Sequence, residues 1–487
     1  MDLSGLQISF RIIMPEITLA AFGILVLLVG VFSSPKGGGK DNLGYISIFG
    51  VILALIFSVP LFGEAQEGFS GMVVADNFAA FFKMILGLIC LLTILMSIGY
   101  IRQRGIGVGE YYALLLFSTL GMMLMAAGTN LLTIFLGLET MSLSVYVLAG
   151  IVRNDPKSIE SAMKYFILGA FATGFFLYGV ALIYGSTGSF NLKGIASYIS
   201  ASSQGGRTAL LIIGIALLTI GFGFKISTVP FHMWTPDVYE GAPTSVTAFM
   251  ATGVKAAAFA GFVRVFYSAL GAFQPDWTAI MWLLSVATMT GGNIVAISQP
   301  NIKRMLAYSS IAHAGYILVA FTAGNDLGTS SILFYLLAYA FMNIGAFTVV
   351  ILLGRKGEEN TLITDYSGIG FKYPLLAASM TIFMLSLAGI PPLAGFMGKF
   401  YIFSAAVKAK FYWLAVIGVL NSALSVYYYL RVTVHMYFRE AEKEIGGLTF
   451  SPAAVISLII AVAGVFYLGI FPSTVLALAR ASIGPLL

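Results

Sequence analysis

The amino-acid sequence predicts an all-α polytopic membrane protein of about fourteen transmembrane helices, built largely from two inverted five-helix repeats. Three observations predict it. Of the 487 residues, 59% are hydrophobic and only 9% are charged, where a soluble domain carries about one quarter charged residues. Apolar runs of about 20 residues, the length that crosses a bilayer, recur from one end of the chain to the other. Two of these runs, the seventh and the twelfth, are interrupted by proline beside a lysine, and a pair of interrupted helices in corresponding positions marks a repeat.

The elements follow in order. Runs near 11–32, 45–63 and 78–100 form an N-terminal three-helix segment within residues 1–105. The first has no separate basic stretch before it and no small-residue cleavage pattern after it, so it is expected to remain as a helix and not to be removed as a signal peptide. Runs near 110–128, 130–151, 160–184, 208–235 and 243–269 make the first repeat, residues 106–270. Runs near 277–297, 303–323, 329–354, 374–408 and 411–438 make the second, residues 271–440, and a last run near 451–471 stands within 441–487. Because five is odd, the second block must run opposite to the first. The interrupted runs are each fourth in their block.

Orientation follows from the basic residues between the runs. With the N-terminus outside, thirteen fall in inner loops: Lys36, Lys40, Arg102, Arg104, Arg153, Lys157, Lys303, Arg304, Arg355, Lys356, Lys372, Arg439 and Lys443. Six fall outside: Arg11, Lys193, Arg207, Lys408, Lys410 and Arg480. Lys and Arg favour the cytoplasmic side, so both termini are expected in the periplasm of a bacterium, with the chain multi-pass in the inner membrane. The net charge of +6 is then a product of topology. A nucleic-acid partner would need one clustered basic face, which the sequence lacks.

Missing residue types narrow the chemistry. A lone cysteine, Cys90, inside an apolar run gives no framework for an iron–sulfur cluster, and three scattered histidines give neither a haem pair nor a structural zinc site. The nearest approach to a nucleotide loop, "LAGFMGKF" from Leu393 to Phe400, lacks the first Gly and the final Ser/Thr of a phosphate-binding loop. No cofactor is expected in this chain, and energy for transport must come from an ion gradient or a partner.

Seven basic residues lie within runs: Lys83, Lys164, Lys225, Lys255, Arg264, Lys399 and Arg431. An ionised group at the bilayer centre costs several kcal/mol unless it faces a wet or paired interior. Lys83, Arg264 and Arg431 lie near helix ends and are expected to snorkel to the headgroups. Glu139, about nine residues past Asn130, and Lys255, about a dozen residues into its helix, are too deep for that. Each is either a relay group or half of a static ion pair that fixes packing. Lys164 is shallower, and depth leaves snorkelling and function equally open.

In "GFGFKISTVPFHMWTPDVYEGAPT", Gly221 to Thr244, Pro230 has no amide donor and its ring clashes with the carbonyl of Ile226. The helix should break just after Lys225, and broken backbone in a membrane must be buried in protein or line water. The carbonyls of Phe222 to Lys225 are expected to be free to hold water. His232, beyond the break, can exchange a proton near neutral pH or rest against a loop carbonyl. Pro391 and Pro392 make the second break, with Lys399 two turns on. His313, mid-helix, is either a relay group or a satisfied core histidine.

The stretch from Gly221 onward, "QPNIKRMLAYSSIAHAGY" and "AGIPPLAGFMGKFYIF" resemble the antiporter-like membrane subunits of respiratory NADH-quinone oxidoreductase, complex I. The likeness covers nearly the whole chain, with three long motifs in order. It implies a proton channel in which Glu139 pairs with Lys225, Lys255 is the central connector and Lys399 the exit-side group, with Lys164 a further family lysine. It also implies that NADH, FMN, iron–sulfur clusters and quinone belong to partner subunits, and that the neighbours are other membrane-arm subunits, antiporter-like and small helical ones, set in lipid.

Three classes of function compete: a subunit of a redox-driven proton pump, a cation/proton antiporter subunit, and a passive scaffold. Hard cations prefer oxygen ligands, whereas the axis here is basic, with Glu139 the only acid expected at depth; this favours protons. A scaffold has no reason to break two helices beside lysines.

Overall fold

The computed structural model describes residues 9–32, 39–106, 109–201, 207–354, 360–441, 448 and 450–486. Lys36, Arg355, Lys356 and Lys443 of the orientation count therefore lie outside the described residues. The helices are α1 (Met14–Phe32), α2 (Gly39–Ser58), α3 (Asn77–Ser97), α4 (Glu110–Ala127), α5 (Leu131–Ala149), α6 (Pro156–Thr187), α7a (Ala209–Ile226), α7b (Thr235–Gly241), α8 (Thr244–Ser268), α9 (Gln274–Ile297), α10 (Ile302–Ala323), α11 (Asp326–Leu353), α12a (Pro374–Ala388), α12b (Ala394–Lys408), α13 (Tyr412–Phe438) and α14 (Pro452–Ile470). Among the described residues, thirteen helices are long and apolar enough to cross a membrane on their own. The fourteenth expected span is the pair α12a and α12b, 15 residues each, and the seventh is likewise split. Further elements carried no transmembrane signal, among them the antiparallel hairpin β1 (Gln66–Gly68) and β2 (Val73–Ala75) and the short helices Leu192–Ala201 and Pro472–Ile483.

Local chemistry sets the ends. Asp76, Asn130, Asp155, Thr208, Asn301 and Asn325 cap α3, α5, α6, α7a, α10 and α11, each side chain accepting from an amide of the first turn, as helix N-termini require. Helices α8, α10 and α11 are buried almost throughout and form the centre, whereas α1, α6, α9 and α13 turn long apolar faces outward. Close approach is written in small residues. A side chain on Gly121 of α4 would stand 2.5 Å from the Met141 amide of α5, so only glycine lets these helices touch and fixes where Glu139 lies.

The snorkelling expectation fails for Lys83 and Arg264. Lys83 on α3 is fully buried, paired with Glu16 of α1 at 2.8 Å and donating to the Ile12 carbonyl at 2.9 Å. Arg264 on α8 grips Asp76 with two hydrogen bonds, at 2.8 and 2.9 Å, and donates to the Ala126 carbonyl at 2.9 Å. The reason is tertiary: each lies beside an acid from another helix, and a fork–carboxylate or ammonium–carboxylate pair satisfies both charges. Glu139 is therefore not the only acid inside the helical bundle. Arg431 is half-buried and donates to the carbonyls of Ile297 and Gln299 at the end of α9, a favourable place for a cation.

Candidate functional site: a buried lysine axis

Lys225 occupies the last turn of α7a. The helix stops at Ser227, whose left-handed φ of 64° ends the hydrogen-bond ladder before Pro230. Of the carbonyls expected to hold water, those of Gly223 and Phe224 are taken by protein donors instead. Thr228 N–H donates to Gly223 at 2.9 Å, and both Ser227 N–H and Trp234 Nε1 donate to Phe224, at 3.1 and 3.0 Å. Lys225 Nζ turns to α5, donating to Ser142 Oγ at 2.7 Å and Tyr146 OH at 3.2 Å. The rings of Tyr146, Tyr165 and Phe224 surround it, with centroids 5.2, 5.5 and 5.7 Å away, within cation–π range.

Glu139 is not paired with Lys225. It is half-buried and accepts from Thr173 Oγ1 of α6 at 2.8 Å. It lies three residues before Ser142, the hydroxyl that holds Lys225, but its flank carries Leu136, 61% exposed, so this side of α5 faces outward from the chain. His232 sits in the break, half-buried, with its ring against the Pro230 backbone.

The second part of the axis gathers on α10. Lys255 is where α8 returns to α-helix after a π-helical turn, Met250–Val254, a distortion often found at functional sites. Its Nζ donates to the Ser310 carbonyl at 2.6 Å and to Ser310 Oγ, 6.0 Å from the Tyr339 ring. His313, one turn on, is held between two hydroxyls: Nδ1 with Tyr335 OH at 2.6 Å and Nε2 with Tyr429 OH at 3.0 Å. Tyr316, a turn further, meets the His313 ring edge-on and lies 4.9 Å beneath Lys399 Nζ. Lys399 donates to the last carbonyls of α12a, Leu387 and Ala388, both at 2.9 Å, and to Ser422 Oγ of α13 at 2.8 Å. It forms the floor of an apolar groove of about 930 Å³ between α12b and α13. Between the two parts, Tyr239 meets Trp234 edge-on, with centroids 6.0 Å apart, and reaches Ser310 with its hydroxyl.

Lys225, Lys255 and Lys399 are 2%, 1% and 4% exposed, and the hydrogen bonds of all three go to hydroxyls or carbonyls, none to a carboxylate. Lys164 stands apart from them, its side chain 40% exposed, paired with Glu160 at 2.7 Å and Asp237 at 2.6 Å. Asp237 is shared with Arg304 at 2.7 Å, and Glu240 with Arg304 at 3.1 Å and Lys157 at 3.0 Å. Partial burial pushes the Asp237 and Glu240 carboxyls up, but hydrogen bonds from these cations prevail and hold both below the usual carboxylate range. Sequence reasoning missed the hydroxyls that hold the lysines. On α10 their signal was spacing: 310, 313 and 316 recur every three residues, one helix face.

Comparison with known proteins agrees with this geometry. Residues 128–425 match the family model described as NADH:quinone oxidoreductase/Mrp antiporter, TM. The chain is 53% identical, over 98% of its own length and 97% of the relative's, to NADH-quinone oxidoreductase subunit N of Trichlorobacter lovleyi. Among solved structures it resembles a chain of respiratory complex I from Thermus thermophilus with bound aureothin, at 35% identity and a TM-score of 0.81, covering 96% of this chain and 100% of that one. A chain of the Mrp complex from Dietzia, 20% identical with a TM-score of 0.81 over 100% of this chain and 98% of that one, shares the fold alone. Buried lysines in line, two helices broken beside them and this full-length similarity together establish that the chain belongs to the subunit N family of NADH-quinone oxidoreductase.

Proposed function

We propose that this chain translocates protons in the membrane arm of an NADH-quinone oxidoreductase, along Lys225, Lys255, His313 and Lys399. One observation carries the reading. The buried cations Lys83 and Arg264 face carboxylates, as static structural charges should, whereas the three axis lysines have only neutral partners. A buried ammonium without a counter-charge is costly, so these positions are not built to hold a fixed charge. A static scaffold would have neutralised it.

In this reading Lys225 takes a proton from the inner side, with His232 and Lys164 on the uptake side, and both termini lie in the periplasm. Lys225 gives the proton to Lys255, and Lys255 passes it through Ser310 and His313 to Lys399. The His313 ring, between two tyrosine hydroxyls, accepts a proton on one nitrogen as it releases one from the other. Glu139 is the tuning group: approach toward Ser142 and Lys225 would hold the proton on Lys225, and withdrawal would release it. Cys90 is the chain's one thiol, too few for an iron–sulfur ligand set; redox chemistry with NADH, FMN, iron–sulfur clusters and quinone falls to partner subunits, and this chain handles only protons.

The test is Lys225→Met, which keeps the stem and removes the amine. NADH-driven proton uptake by membrane vesicles should fall about a hundredfold, the low end of what a positioned proton carrier contributes, with assembled complex undiminished on native gels. Parent-like pumping in assembled complex would sink the role assigned to Lys225.

A further inference from the structure

The ion pairs at the rim of the first break lie off the proton axis, yet they hold the element that closes it. The seven-residue α7b is clamped from both sides. From α6, Lys164 donates to Asp237 Oδ2 at 2.6 Å and Ser161 to the Val238 carbonyl at 2.8 Å. From α10, Arg304 donates to Asp237 Oδ1 at 2.7 Å and Lys303 to the Ala242 carbonyl at 2.7 Å. A side chain on Gly241 would stand 2.3 Å from the Lys157 carbonyl, so α7b lies directly on the start of α6. Asp237 takes a cation from a helix in each half of the chain.

Three residues before Asp237, Trp234 covers the break. Its Nε1 caps the Phe224 carbonyl at 3.0 Å, and its ring stacks on Tyr165, centroids 4.3 Å apart and planes within 5°. The Tyr165 ring in turn faces Lys225 Nζ at 5.5 Å. Beside the clamp is a cavity of about 190 Å³ lined by Lys157, Glu160, Asp237, Glu240, Gly241 and Arg304, roomy and polar enough for several waters.

We propose that Asp237 is a positioning residue for proton transfer to Lys225: bridging Lys164 and Arg304, it latches α7b so that Trp234 seals the helix break from the water in this cavity. The inference rests on Lys225 being the proton carrier. Lys164 then acts on Lys225 from the rim, through Asp237 and Trp234, and carries no proton itself. Partly exposed ion pairs each contribute little, so the latch opens under a modest push from a neighbouring subunit. Once open, the cavity meets the capped carbonyls of the break and water reaches Lys225.

The experiment compares Asp237→Asn, Asp237→Glu and Trp234→Phe in the intact assembled complex. It measures hydrogen–deuterium exchange of the peptide covering 227–241 and protons pumped per NADH oxidised in proteoliposomes. Asp237→Asn should speed exchange about fivefold, as expected for the loss of weak ion pairs that hold a local element closed, and should lower the proton yield. Trp234→Phe should do the same with the ion pairs intact, and Asp237→Glu should stay near the parent. Unchanged exchange in Asp237→Asn, or faster exchange with a parent-like proton yield, overturns the latch. If Asp237→Asn does not assemble, Trp234→Phe decides by the same two outcomes. Lys225→Met separates the readings: a parent-like yield there removes the carrier, whereas a low yield there beside a parent-like Asp237→Asn removes the latch alone.

Discussion

The two broken helices set their lysines on opposite sides of the interruption. Lys225 precedes its break, and the loosened carbonyls of α7a are capped by Thr228, Ser227 and Trp234, leaving the ammonium to two rotatable hydroxyls on α5. Lys399 follows its break and turns back onto the carbonyls of Leu387 and Ala388, so here the lysine itself is the cap. At a helix C-terminus those oxygens carry partial negative charge and favour a cation. A lysine freed from capping changes partners at little cost, since hydroxyls rotate and re-pair. A lysine that caps a helix cannot leave without stripping the Leu387 carbonyl of its donor and leaving Ala388 to Ser422 alone. The first site is built for exchange and the second for retention until the proton departs.

Substitutions at the two lysines break this comparison most sharply. Lys399→Met should stop pumping and also destabilise the assembled complex, because the buried Leu387 carbonyl loses its donor, at about 1–3 kcal/mol. Lys225→Met should stop pumping with little change in thermal stability. Comparable melting temperatures for both variants in the purified complex would show that the capping distinction has no energetic weight. The lysine-as-cap geometry also sets what a carboxylate would do at position 399. Such a group can carry a proton, but ionised it would face the Leu387 and Ala388 oxygens, acceptor against acceptor. Lys399→Glu should therefore pump poorly at neutral pH and recover in part as the pH falls and the acid becomes a donor.

A smaller effect is expected at Glu139. Gln keeps the hydrogen bond from Thr173 and loses the charge, so Glu139→Gln should assemble normally. The pH dependence of its pumping should differ from the parent's, because the charge proposed to tune the axis is gone. A profile identical to the parent's would leave Glu139 as a packing residue and the exchange site without its tuning group.

The smallest effect lies at the rim. Asp237 and Glu240 are held below their ordinary range by Lys164, Arg304 and Lys157, so their ion pairs contribute stability above the unfolded carboxylate range that is lost as pH falls through the depressed folded values. The difference in melting temperature between parent and Asp237→Asn should be constant across neutral pH and shrink only in strong acid. A difference that instead grows on acidification would mean that Asp237 enters the folded state protonated.

The spans and both breaks were legible because hydrophobic length and proline are one-dimensional signals. Side-chain partners were not. Depth along a helix assigned Lys83 and Arg264 to the headgroups, and only the packing of α1 against the bundle and of the α3 cap against α8 brings Glu16 and Asp76 to them. For Glu139, depth was read but helix face was not: Leu136 and Leu143 are exposed on its flank, and a run hydrophobic all round gives no face by pattern. The α10 stripe of Ser310, His313 and Tyr316 was within reach, since a three-residue rhythm of polar groups in an apolar helix is itself a signal. Hairpin β1–β2 was not, being three residues a strand.

The Lys83–Glu16 pair has a consequence for biogenesis. The two residues are 67 apart in sequence, so the ribosome delivers Glu16 well before its counter-ion exists. Either charge alone in hydrocarbon costs several kcal/mol, so the docking of α3 onto α1 removes a cost that α1 carries while it stands alone. Removing either partner would leave a stranded charge during synthesis, and its first victim would be membrane insertion, before any proton has moved.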